Sequence, residues 1–366
     1  MLNKNRYSHQ NLERVAIRAI TILGLVSISS ISGCQNANKI AQSPINQNKP
    51  EGNTRLEKIK NRGQLICGIN DRLTGFSYKE DDGSYSGISV DLCRAIAAAM
   101  FNDPTKVKFK HLEAEERFKA VASGQVDILS RNTTWNLSRD TSEGLDFPPT
   151  NFYDGQGLLV KKDSGITDLN DLNGKSICLP VGTTTEDNLA EQMRKYNVGY
   201  LPMPFENNDE LYRSYDAGKC DAATSDRSSL VARRVLLSDP DAHQVLNVVI
   251  SKEPLGPVIA NDEPAWFDVV KWVSYAMIKA EELNISSTNI ESFSNTKNPE
   301  KRRFLGIEGD IGVQLGLSNE FAQRVVRQVG NYEEIYQRNM GEPFGLERGN
   351  NALWKDGGLM YSPPFR

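Results

Sequence analysis

Histidine is nearly absent from this chain: its 366 residues hold three, His9, His111 and His243. With so few, no Ser/His/Asp arrangement can be proposed and a zinc site is disfavoured; neither G-x-S-x-G nor Cys-x-x-Cys occurs. Basic excess is lacking too. The formal net charge of -4 provides no positive field and excludes nucleic acid as the expected main partner. The "NGKS" of Asn173 to Ser176 resembles the end of a P-loop, but Leu169 stands where the first glycine is required and the residues run into a strand. Nucleotide binding is rejected on that ground, and no cofactor is expected.

Long apolar runs are also scarce. The one such stretch, about Ala16 to Ile31, is broken by Ser and Gly, starts among Lys4, Arg6, Arg14 and Arg18, and ends at Ser32, Gly33 and Cys34. A basic start, an apolar middle and small residues before a cut predict a secretory signal over residues 1–33. A cysteine at that cut resembles the bacterial lipobox, which would make Cys34 the lipidated first residue; plain secretion and a retained span are the alternatives. Residues 34–54, rich in Asn, Gln, Ser and Pro, then read as a flexible tether.

Export gives the remaining cysteines a meaning. Cys67, Cys93, Cys178 and Cys220 allow three pairings in an oxidising compartment, or four buried thiols. Strand and helix patterns alternate along the rest of the chain. "QLICGI", "VKFKHL" and "VDILS" read as strands, with helices over "DLCRAIAAAM" and "AEERFKAVASG" between them. The same order restarts with "KSICLP", "TTTEDNLAEQMRKY", "GYLPMPF", "NNDELYRSYDAGK" and "CDAATSD". Two such α/β units predict two lobes, each built on a mostly parallel sheet. Pairing Cys67 with Cys93 and Cys178 with Cys220 stays within each unit, whereas crossed pairing would lock lobes that need to move. Near the end, "SNEFAQRVVRQVGNYEEIYQRNM" reads as helix.

Ligands of open α/β sheets bind beyond the carboxyl ends of the strands. Three polar stretches stand at such places: "SRNTTWNLSRD" (Ser130 to Asp140), "VGTTTED" (Val181 to Asp187) and "SDRSS" (Ser225 to Ser229). Arg139 offers a fork of donors suited to a carboxylate, Thr183 and Thr184 offer hydroxyls at a helix N-terminus, and Asp226 offers a partner for an ammonium. A zwitterionic α-amino acid would satisfy all three. Taken singly, Thr183 and Thr184 suit a helix cap, Asp226 a cap or turn, and Arg139 a surface ion pair.

The blocks "LSRNTTWNLSRDTS", "FYDGQGLLVKK", "GTTTEDNLA", "YDAGKCD", "ISKEPLGP", "WFDVVKWVSYAMI" and "NALWKDGGLMYSPP" carry a resemblance that covers nearly everything after residue 54. The chain resembles the substrate-binding proteins of ABC importers for polar amino acids, and within them the general L-amino-acid-binding subfamily; the four mature cysteines also stand where that subfamily has them. The resemblance implies a type II periplasmic-binding-protein fold: two α/β lobes, two crossing hinge segments, and a C-terminal helical extension. It divides the chain into residues 55–152 (first lobe), 153–255 (second lobe), 256–285 (return to the first lobe) and 286–366 (the extension, packed on the first lobe). It also implies that Arg139 and Thr134 hold the ligand carboxylate, that Asn132 assists, that Thr183 and Thr184 approach from the other lobe, and that Asp226 takes the ammonium. Relatives cover the ligand with a ring slightly earlier than Phe76, the nearest candidate here. Trp135 is either a pocket residue or a buried structural one, and Arg72 and Arg131 either meet an acidic side chain or lie at the surface.

The expected function is capture of free L-amino acids, broad in range and neutral or polar, for a membrane permease, by a monomer held to the cell membrane in the periplasm through Cys34. Two other readings compete. A periplasmic dehydratase of the cyclohexadienyl type would need a general acid, for which Glu186 is the one obvious spare carboxylate. A sensor domain would call for a membrane span or kinase region after it, and none follows.

Overall fold

Leu65–Ile69 is an almost continuous apolar run because it is the central strand of a parallel sheet covered on both faces. Val107–His111 pairs with one edge and Ile128–Leu129 with the other. The structure, a computed structural model, describes residues 54–366. Cys34, the leader and nearly all of the tether assigned to residues 34–54 lie outside the described residues.

The second sheet repeats the order of the first. Lys175–Pro180 lies between Tyr200–Phe205 and Ala222–Asp226, parallel to both. Gln156–Lys161 and His243–Val245 extend it, each pairing antiparallel with its neighbour. Pro202 and Pro204 are tolerated in Tyr200–Phe205 because that strand is an edge, where a missing N–H breaks no ladder.

Two antiparallel strands, Phe152–Asp154 and Glu253–Leu255, join the lobes, with Asp154 opposite Glu253. Their short pairing is the one strand-to-strand link between the crossing segments among the described residues, so bending there alters neither sheet.

The first lobe's core continues into the C-terminal part of the chain. Pro264–Glu282 buries Trp266 completely, and the indole Nε1 donates to Asp127 O at 2.9 Å. Phe321–Gln328 lays Phe321, Val325 and Val326 into the same apolar cluster as Ile96 of the helix Ile88–Phe101. The continuous helix expected from Ser318 to Met340 is broken at Gly330, whose φ of 108° a side-chain-bearing residue rarely adopts. Asn331 and Glu334 then form a capping box that starts the short helix Tyr332–Tyr336.

Both bridges tie a sheet strand to a nearby segment of the same lobe: the helix Ile88–Phe101 in the first, the residues just before the strand Ala222–Asp226 in the second. Cys67 is joined to Cys93 across 26 residues, and Cys178 to Cys220 across 42. No helix among the described residues is long and apolar enough to cross a membrane.

Candidate functional site

The stretch from Ser130 to Asp140 proves to be a turn and a wall at once. Ser130 leaves the end of the strand Ile128–Leu129 buried, its hydroxyl donating to Ser89 O at 2.9 Å. Thr134 forms a bridge with Leu255 of the returning crossing strand. Asn136 caps the helix Leu137–Ser142 by accepting from Arg139 N at 2.9 Å. That tight turn folds the Arg139 side chain back, so Nη1 donates to Thr134 O at 2.9 Å and the guanidinium rests 5.2 Å from the Phe118 ring centroid.

The second lobe supplies the facing wall. Thr183 caps the helix Thr184–Tyr196, accepting from Thr185 N at 3.2 Å and donating to Pro180 O at 3.1 Å, so its hydroxyl is already used. Thr184 Oγ1 lies 3.3 Å from Thr134 Oγ1 across the cleft and donates to Glu253 at 3.2 Å.

Asp226 holds the N-cap position of the helix Arg227–Arg234 but makes no side-chain cap bond. Asp154, from the outgoing crossing strand, caps in its place. The Asp154 carboxylate accepts from Ser228 N at 3.2 Å and also from the Ser228 hydroxyl. Asp226 is thereby released toward the cleft, where Asn132 of the other lobe donates to it at 2.7 Å.

Charges of opposite sign therefore face one another from two lobes in a place that water reaches poorly. Burial is the main force holding Asp226 well above the usual carboxylate range; Asp154 and Glu253 push the same way, while the Asn132 bond and Arg139 oppose them. Asp154 is pushed up to about 6, again chiefly by burial. Burial lowers Arg139, with Glu253 and Asp226 as the main opposing charges. Neither Arg139 nor Asp226 has an ion pair among the described residues. A cleft that keeps an arginine and an aspartate apart in this way suits a small molecule carrying both charges.

The family model for bacterial extracellular solute-binding proteins, family 3, matches residues 65–289, the span that contains both walls. The chain belongs to that family. Among its relatives, the general L-amino acid-binding periplasmic protein AapJ of Rhizobium johnstonii is 47% identical over 317 residues, covering 86% of this chain and 93% of that protein. The glutamate/glutamine/aspartate/asparagine-binding protein BztA of Rhodobacter capsulatus is also 47% identical, over 314 residues, covering 85% and 93% respectively. A solved ABC transporter/periplasmic binding protein from Brucella ovis with glutathione bound matches at TM-score 0.84 and 46% identity, covering 86% of this chain and 99% of its own.

In this family-3 chain the cleft collects Asn132, Thr134, Arg139, Thr183, Thr184 and Asp226. Phe76 is a correction. It is 2% exposed, packs edge-on against Phe152 at 5.1 Å, and does not line the cleft; Leu73 stands there instead, with Tyr212 as the aromatic lining residue. The physical reason is the turn Leu73 to Phe76, which sends the larger ring into the first lobe's core. Trp135 is neither buried nor in the cleft, being 47% exposed. Arg72 stays outside it, paired with Glu113 at 3.4 Å, whereas Arg131 is buried and lines it. Glu186 is exposed on the first turn of its helix and does not line the cleft, so the acid-catalysed reading loses its one carboxylate.

Three residues of the site escaped sequence reasoning. Glu253 is 2% exposed and accepts from Thr134 of one lobe and from Thr184 and Asn188 of the other, the last at 2.7 Å. Nothing in "ISKEPLGP" distinguishes it from a solvated acid. Arg117 lies on the buried face of Arg117–Ala122 with Ala120 and Val121. An arginine at an apolar position of an amphipathic pattern was the available signal. Tyr212 carries only the ordinary helical spacing of a core ring.

Proposed function

We infer that this chain is the substrate receptor of an ABC amino-acid importer: it closes two lobes over a free L-amino acid and hands it to the membrane permease. The observation that carries the reading is the placement of Arg139 and Asp226 on facing walls of one cleft, neither ion-paired among the described residues. The α-carboxylate goes to Arg139 and Thr134, with Thr184 closing on it from the other lobe. The α-ammonium goes to Asp226, and Asn132 turns from Asp226 to the ligand. Thr183 acts through the helix it caps. The relatives, named as amino-acid-binding proteins, support a receptor and not an enzyme.

Residues 55–152 and 256–285 form one lobe, 153–255 the other, and 286–366 an extension on the first. The protein works in the periplasm as a monomer, held to the membrane by a lipid on Cys34. Cys34→Ala is accordingly expected to move it from the membrane fraction to the soluble one; continued sedimentation with membranes would defeat the anchor.

Titration calorimetry of the protein with each of the twenty L-amino acids tests the receptor reading, and its proton balance tests the site. Asp226 holds its proton to an unusually high pH in the ligand-free protein, and an incoming ammonium favours the ionised form. Binding is therefore expected to release a proton, and affinity to fall as pH is lowered from neutral into the acid range. Ligand-free stability should shift the opposite way, since a raised acid gives stability that is lost as pH rises through its folded-state value. Proton release is read from binding heats in buffers of different ionisation enthalpy. Heats independent of buffer throughout that range would show that no ammonium meets Asp226.

A further inference from the structure

The cleft holds two buried arginines beyond the one that a zwitterion needs. Arg117 is 2% exposed and Arg131 6% exposed, and both line the cleft beside Arg139. Arg131 Nη1 donates to Leu112 O at 2.8 Å, but the Nε atoms of Arg117 and Arg131 have no hydrogen-bond partner, and neither residue has an ion pair among the described residues. Glu113 is the acid nearest in influence to Arg131, yet it is shared with Arg72 at 3.4 Å and His111 at 2.9 Å. Glu253 spends its oxygens on Thr134, Thr184, Asn188 and Ser251. Asp154 faces Ser228 and Arg227.

Three guanidinium groups thus line the cleft with three acids, of which Glu113 is held by Arg72 and His111, Glu206 is exposed, and Asp226 serves the ammonium. Buried Arg117 and Arg131 are left without an ion pair among the described residues, and an α-amino acid with a neutral side chain brings them none; a second carboxylate does. Arg117 and Arg139 both rest on the Phe118 ring, 4.7 and 5.2 Å from its centroid, which keeps the two guanidinium groups within reach of one small ligand. Burial presses Arg117 strongly toward losing its charge, with Arg131 and Arg139 adding to the pressure, and an anion is what would relieve it.

We propose that Arg117, assisted by Arg131, forms a second carboxylate subsite that makes L-amino acids with acidic side chains the preferred substrates. The inference rests on the amino-acid reading above and adds to it the side-chain class.

Titration calorimetry on the full chain, wild type and Arg117→Met, against L-glutamate, L-aspartate, L-glutamine and L-asparagine tests it. The wild type is expected to bind the acids at least about tenfold more tightly than the amides, and Arg117→Met to lose about thirtyfold or more on the acids while staying within about threefold on the amides. Equal loss on acids and amides would assign Arg117 to the main-chain carboxylate and overturn the proposal, as would no loss on either. If Arg117→Met does not fold, the wild-type preference decides: equal affinity for L-glutamate and L-glutamine overturns the subsite and leaves the receptor intact. A wild type that binds no amino acid overturns both readings.

Discussion

Arg139→Ala and Asp226→Ala are each expected to weaken binding of every accepted amino acid by about thirtyfold to several-thousandfold, the range that follows from leaving a buried ligand charge unpaired. The loss should be uniform across side chains, because both residues meet the main-chain zwitterion. If Arg139 were a surface residue and Asp226 a cap, changes would stay within about 0.5 kcal/mol. The structure already separates these for Asp226, which occupies an N-cap position without capping while Asp154 accepts the Ser228 N–H. Asp226→Ala should consequently leave the melting temperature of the ligand-free protein unchanged or slightly raised, since a buried carboxylate disappears without costing a cap. Arg139→Ala gives up one bond to Thr134 O and the contact with Phe118, a modest stability loss beside its effect on binding. Calorimetric titration and thermal melting of the two variants check both halves. Normal binding by both would place the ligand elsewhere.

The second large effect concerns stability. Breaking Cys178–Cys220 by Cys178→Ala with Cys220→Ala is expected to destabilise the folded protein by about 4 kcal/mol, and breaking Cys67–Cys93 by about 3.5 kcal/mol, in the loop-entropy account. The larger figure belongs to the longer closed loop, 42 residues against 26. All four cysteines are buried. Denaturant midpoints of the two double variants measure the costs. A change below about 1 kcal/mol in both would show that the bridges add nothing to an already packed core. Because each bridge joins segments of one lobe and none of its cysteines lines the cleft, ligand affinity should survive either change as long as the protein remains folded.

Much of the fold was legible because its signals are local. The strand Lys175–Pro180 and the helix Thr184–Tyr196 announce themselves through an apolar run, a hydroxyl cap and helical spacing, all within a few residues. The repeated unit told that there were two lobes, and the wall residues could be found because they follow strands, which is a matter of chain order. Gly330 shows the limit of that legibility. The apolar spacing continues across it, and only the backbone angle demanded by packing Tyr332 and Tyr336 into the first lobe's core breaks the helix.

Charge-bearing residues were read well where their neighbours in sequence shaped them, and poorly where their neighbours in space did. Arg139 is aimed by Asn136, three positions before it, so its role follows from the motif. Glu253 looks like an ordinary surface charge in the sequence, and Arg117 is marked only by its apolar position in a helical pattern; burial decides for both, and burial is a sum over chain segments far apart. Asp226 was expected in the cleft from its place after a strand, and the structure adds how it is freed, since a distant Asp154 takes over the cap that its position alone would suggest. Phe76 failed for the converse reason, since an aromatic ring in a turn is drawn to whichever apolar volume lies nearest, here Phe152. Sequence alone determined the two α/β units, the even set of cysteines and the polar stretches at the strand ends, because these depend on residue order. Which side chains meet across the cleft, and which charges are left there without a partner, was decided by tertiary structure, because electrostatic energy depends on distance and burial and neither is a property of position along the chain.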